Sequence, residues 1–208
     1  MHHLQHSWEQ LLQTFGVEQG KAQAPFTGLV NAYSSPDRVY HTLEHVQTVL
    51  EWIARLRGLA TDLPALQLAA WFHDVVYDPR ATDNEEQSAL YAQSVLSGLA
   101  VPERTVQAVA RMILSTKTHW IEESERDCQI LLDADLAILG ATVQDYDRYA
   151  RAIRQEYAWV PEAAYRTGRG QVLRTFLQRD RIYWTEPMYA ALEGQARENI
   201  QREIASLV

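Results

Sequence analysis

Apolar residues recur at three- and four-residue steps through most of this chain, and that period commits it to helices. Between Thr42 and Leu59 they fall at positions 43, 46, 49, 50, 53 and 56, one face of an α-helix, with Gly58 near its end. Pro64 suits the first turn of a second helix that runs to about Asp74. Leu66, Leu68, Ala69, Ala70, Trp71 and Phe72 make that helix apolar nearly all round, which predicts burial at the centre of a fold. Asp78-Pro79 breaks the chain. Thr82 to Glu85 and Asp83 to Glu86 are overlapping capping-box patterns for a helix reaching about Leu96. Pro102 opens another, to about Ser115. Gln129 to Leu139 predicts a short helix ended by Gly140. Thr142 caps the next, which reaches Trp159 and stops before Pro161. Residues 162 to 180 predict a helix interrupted near Gly168 and Gly170, and Thr185 with Pro187 starts a last helix to Ser206. No segment alternates with period two between turn residues, and there is no repeat, glycine-rich phosphate loop or nucleophile elbow. The expected fold is all-α, a compact irregular bundle of about eight to ten helices.

At 208 residues the chain suits a single domain over 1–208. The formal net charge of −8 and pI near 5.3 oppose long-range attraction to a nucleic-acid polymer or an anionic membrane. A small anionic substrate stays compatible, because a bound divalent cation reverses the potential locally. Cys128 is the sole cysteine, so no internal disulfide can form, which suits a reducing cytoplasm. The start, Met1 to His6, lacks the cationic and apolar regions of a signal peptide and reads as a frayed or tag-like terminus carrying His2, His3 and His6. The longest apolar run, Leu68 to Phe72, is too short for a membrane span. A cytoplasmic protein without a membrane partner is expected, with a homo-oligomer left open. Trp52, Trp71, Trp120, Trp159 and Trp184 are scattered and read as packing residues.

The chemistry concentrates elsewhere. Besides the N-terminal three, the histidines are His41, His45, His73 and His119. His73-Asp74 ends the most apolar helix, where two ionisable groups need partners, and a metal ion is one such partner. Exposure at the helix end is the other reading. His41 and His45 stand one turn apart on one helix face, a spacing that suits a metal pair. A hydrogen-bonded core histidine is the alternative for His45 alone. Asp133 and Asp135 interrupt the apolar stretch Leu131 to Leu139 on different faces, so at least one should face inward; the alternative is an exposed pair with Asp133 as N-cap.

The order of these residues resembles the HD superfamily of metal-dependent phosphohydrolases. Tyr-His-Thr-Leu-Glu-His at 40–45, Phe-His-Asp-Val-Val-Tyr-Asp at 72–78, Asn-Glu-Glu-Gln-Ser-Ala at 84–89 and Leu-Asp-Ala-Asp-Leu-Ala-Ile-Leu-Gly at 132–140 are similar to a little-characterised bacterial branch of predicted HD phosphohydrolases. Ile-Arg-Gln-Glu-Tyr at 153–157, Gly168-Arg169, Glu193 and Ala-Arg-Glu-Asn at 196–199 extend the likeness over about residues 30 to 205. It implies a metal-site core at about 30–140, a helical extension at about 141–208, and metal ligands at His45, His73, Asp74 and Asp135. Asp135 is preferred to Asp133 because the family's last ligand follows an alanine. His45 is preferred to His41 because a hydrophobic residue, Val49, stands four places on.

Two imidazoles and two carboxylates suit Mn²⁺, Mg²⁺, Fe²⁺, Co²⁺, Ni²⁺ or Zn²⁺. One ion is expected, with a second metal open through His41 or His119. His41 then stands behind the ligands or faces substrate. Glu85 is either a general base near the metal or, like Glu86, a helix-start residue favoured by the dipole. Asp78 and Asn84 can orient ligands. Arg38, Lys117, His119 and Arg169 are candidate phosphate contacts, with Arg181 and Arg197 behind them. The resemblance implies hydrolysis of a small phosphate ester, a nucleotide being the commonest class. The other readings are an HD-fold di-iron oxygenase and a non-catalytic, metal-stabilised domain that binds a nucleotide or protein.

Overall fold

In the computed structural model, which describes residues 2–119 and 125–207, all regular structure among the described residues is helical. The helices are α1 (His2–Gln13), α2 (Gln19–Tyr33), α3 (Leu43–Leu56), α4 (Leu63–Phe72), α5 (Asn84–Gly98), α6 (Glu103–Ser115), α7 (Arg126–Asp135), α8 (Val143–Glu156), α9 (Glu162–Leu177) and α10 (Glu186–Ser206). Short 3₁₀ segments follow α3 at Arg57–Leu59 and α7 at Leu136–Gly140. The chain forms two compact units, Met1–Leu131 and Leu132–Val208. No helix among the described residues is long and apolar enough to cross a membrane. Trp120 lies outside the described residues.

In the first unit α4 is the central element, in contact with α1, α3, α5 and α6. Its apolar residues from Ala65 to Phe72, save Gln67, are buried, as an all-round apolar helix requires. Asp62 caps it by accepting from the Ala65 N–H at 3.1 Å, and a proline in the first turn costs no hydrogen bond. The N-terminal segment is not frayed. Leu4, Trp8, Leu11 and Leu12 form one buried stripe of α1. The Trp8 ring meets Trp71 and Phe72 edge-on at 5.6 and 5.9 Å, and its Nε1–H donates to the Ala22 carbonyl at 3.0 Å. The capping boxes expected before α5 do not form either. The helix starts at Asn84, so Asp83 is the N-cap, and its carboxylate accepts from the Gln87 side chain at 3.0 Å instead of a backbone N–H. Cys128 is buried in α7, and burial pushes its thiol up to about 11, well away from a reactive thiolate.

In the second unit α10 packs on the Leu136–Gly140 segment, α8 and α9. Thr142 caps α8 as expected, accepting from the Asp145 N–H at 3.3 Å, although the helix ends at Glu156, short of Trp159. Helix α9 runs through Gly168 and Gly170 without a break; Gly170 is buried beside the Arg174 guanidinium, so packing overrides a poor local propensity. Gly140 has a different duty from the helix stop its sequence suggests. A Cβ there would stand 2.6 Å from the Leu192 Cβ and 2.8 Å from the Leu192 carbonyl oxygen. Gly140→Ala is therefore expected to lower stability by about 1–3 kcal/mol by urea unfolding, because backbone rather than a flexible side chain must move.

Candidate metal centre

Two imidazoles and a carboxylate of the first unit converge on one point. His45 comes from the first turns of α3, on the buried side that also carries Val46 and Val49. His73 and Asp74 follow the last residue of α4, where the helix carbonyls need partners. His45 Nε2 lies 3.0 Å from His73 Nε2, and Asp74 Oδ2 lies 3.1 Å from His73 Nε2 and 3.5 Å from His45 Nε2. Both histidines are buried, while the Asp74 side chain keeps 20% of its surface exposed. The site is therefore open on the carboxylate side.

The capping of α4 orients these donors. His73 Nδ1 faces the Ala70 carbonyl at 2.9 Å. A carbonyl only accepts, so Nδ1 carries a proton; with Nε2 also protonated the ring is a cation that pairs with Asp74, and Nε2 becomes a lone-pair donor to an ion only once it gives up that proton. The next carbonyl, that of Trp71, accepts from the Tyr33 hydroxyl at 3.0 Å, and that of Phe72 accepts from the Val75 N–H at 3.1 Å. The carbonyls of Asp74 and Val75 accept from Arg38 Nη1 and Nη2 at 2.6 and 2.9 Å. Burial alone pushes the Asp74 carboxyl up. The His73 charge and the hydrogen bonds from His45 and His73 outweigh it, with His41 adding, and hold the carboxyl well below its ordinary range. It is an anion at neutral pH.

The donor set fits a divalent cation. Donors that share an ion at about 2.1 Å lie about 3.0 Å apart in an octahedral shell and about 3.4 Å apart in a tetrahedral one. Two of the three separations above fall in that range, and the third, 3.5 Å, lies just beyond it. His45 and His73 each offer a ligand atom to a group that can hold a metal ion. Asp135 is the half-buried last residue of α7. Asp133 has other work. Its side chain is fully buried, with Oδ1 accepting from the Trp184 N–H at 2.7 Å and Oδ2 accepting from the Thr185 N–H and hydroxyl at 2.7 and 2.6 Å. It secures the start of α10 and is no N-cap of its own helix. Burial pushes its carboxyl up to about 6 against the pull of those donors.

The remaining candidates are placed as follows. The half-buried His41 ring stacks on Tyr77 at 4.2 Å and meets His45 edge-on at 5.8 Å. Arg38 is buried, with its guanidinium on three backbone carbonyls. Glu85 stands half-buried in the first turn of α5. Lys117 donates to the Thr82 carbonyl at 2.8 Å and pairs with Glu86, whose carboxyl that bond holds below its ordinary range. His119 adopts a left-handed backbone, with φ of +49°. Arg169 is held by Glu203 through two bonds at 2.8 and 3.1 Å. Arg181 pairs with Glu186, and Arg197 with Glu193. Asn84 Oδ1 and Nδ2 bond the backbone of Asp78 at 3.0 and 2.9 Å, which closes the loop before α5. Tyr33 and Tyr77 also pack around the centre; of the two only Tyr77 lies inside a motif segment, and adjacency is its one signal in the sequence. No family model matches this chain, nor does any curated protein or solved structure.

Proposed function

We propose that this protein is a metal-dependent phosphohydrolase acting on a small phosphorylated molecule, nucleotides included. The observation that carries the reading is the convergence of His45 Nε2, His73 Nε2 and Asp74 Oδ2 within 3.0–3.5 Å. The ordered resemblance of the motif segments to HD phosphohydrolases supports it, with Asp135 as the fourth ligand. A divalent ion held there lowers the pKa of a bound water toward about 7 and polarises a phosphoryl oxygen. Asp74, held as an anion, orients that water's proton as well as binding the ion. Glu85 and His41 are the proposed further proton carriers. Arg38, Lys117 and Arg169 all hold partners within the protein, so a phosphate contact by any of them would replace an existing bond.

The test is elemental analysis of the purified protein, followed by a phosphomonoester and nucleotide panel with Mn²⁺, Mg²⁺, Fe²⁺, Co²⁺, Ni²⁺ or Zn²⁺ added back. Turnover that depends on an added ion supports the reading. Two histidines and one carboxylate on one face also match iron(II) oxygenase ligation, which favours a second reading. Iron content with oxygen consumption and no phosphate release would replace the hydrolase by that alternative. Metal binding without turnover of any kind would leave a metal-stabilised binding domain.

A further inference from the structure

Arg38 is a buried cation beside the candidate centre, and phosphate recognition does not account for its setting. Its guanidinium carbon lies 4.9 Å from the centre of the Tyr33 ring and 5.4 Å from that of Tyr77. Nη1 donates to the His41 carbonyl at 3.0 Å and to the Asp74 carbonyl at 2.6 Å, while Nη2 donates to the Val75 carbonyl at 2.9 Å. Those carbonyls belong to the two segments that deliver the donors: the entry to α3, which carries His45, and the turn after α4, which carries Asp74. We propose that Arg38 is a positioning residue for the metal carboxylate, clamping the Asp74 backbone to the His41 backbone and so setting Asp74 Oδ2 against the two imidazoles. The inference rests on the metal reading above. A guanidinium suits the task because its planar fork meets carbonyls of two segments at fixed angles, whereas an ammonium brings the charge without that geometry. The two neighbouring tyrosine rings favour a cation there.

The test compares wild type, Arg38→Lys, Arg38→Ala and Tyr77→Leu by Co²⁺ titration, read from d–d absorption and equilibrium dialysis, at a temperature where circular dichroism shows each metal-free protein folded. Arg38→Lys is expected to keep its helical content, bind Co²⁺ about 10–100-fold more weakly, and change the shape of the absorption band, as loss of an outer support does. Arg38→Ala should bind more weakly still and recover in part with added methylguanidine. Tyr77→Leu, which removes one of the two rings beside the guanidinium, should weaken binding in the same direction and keeps the test alive if the Arg38 variants fail to fold. Wild-type Co²⁺ affinity and an unchanged band in Arg38→Lys, or in Tyr77→Leu where that variant decides, overturn the clamp. A wild-type protein that takes up no divalent ion overturns the metal reading, and the clamp with it.

Discussion

Replacing His73 by alanine, or Asp74 by asparagine, is expected to abolish tight metal binding and every metal-dependent activity. Supporting residues around a metal typically account for 10–100-fold in affinity, so loss of a ligand should exceed about 100-fold. The two variants differ in what else they remove. His73→Ala deletes a fully packed ring and leaves the Ala70 carbonyl without its Nδ1–H donor, so the metal-free protein should also lose stability. Asp74→Asn keeps shape, removes the charge and turns one acceptor oxygen into an amide donor. The Asp74 carboxyl is held below its ordinary range in the folded state. Its contribution to stability is thus present above the unfolded pKa, near about 3.9, and is lost as pH falls through the lower folded value. Asp74→Asn should cost the metal-free protein stability at neutral pH and nothing in strong acid. Wild type should gain about 2.7 kcal/mol when the free ion reaches 100 times its Kd, a gain both variants lack. Stoichiometric metal in either variant, by elemental analysis after dialysis, would sink the assignment of His73 and Asp74 as ligands.

What was legible in the sequence follows from which interactions leave a local trace. The apolar run of α4 and the stripe of α3 are local patterns, and both helices form where the periodicity places them. The stripe Leu4, Trp8, Leu11 and Leu12 was equally legible, yet three neighbouring histidines gave it the look of a tag. Gly168 and Gly170 suggested a break because propensity is local, whereas the uninterrupted α9 is a product of packing. His73-Asp74 stood out because ionisable groups at the end of an apolar helix demand partners. Arg38 could be read only as a guanidinium looking for phosphate, since its real partners are backbone carbonyls, which every residue possesses. The choice between Asp133 and Asp135 is not local at all, because Asp133 is claimed by Thr185, distant in sequence.

That choice makes the sharpest contrast between a structural carboxylate and a proposed ligand. Asp133→Ala is expected to cost on the order of 3 kcal/mol or more, because the Trp184 N–H, the Thr185 N–H and the Thr185 hydroxyl lose their common acceptor, and an unsatisfied buried donor costs about 1–3 kcal/mol. Asp135→Asn, in contrast, should leave those three donors satisfied while weakening metal binding strongly. The pH dependence separates the two further. The folded Asp133 carboxyl, at about 6, lies above its unfolded value, so the folded state holds the proton more tightly. This group therefore favours folding below about pH 4, and that gain declines as pH rises toward 6. Urea unfolding of wild type across that window should carry this negative slope, Asp135→Asn should keep it, and Asp133→Ala should lose it. The ligand assignment fails if Asp133→Ala, once folded, loses the metal and Asp135→Asn retains it.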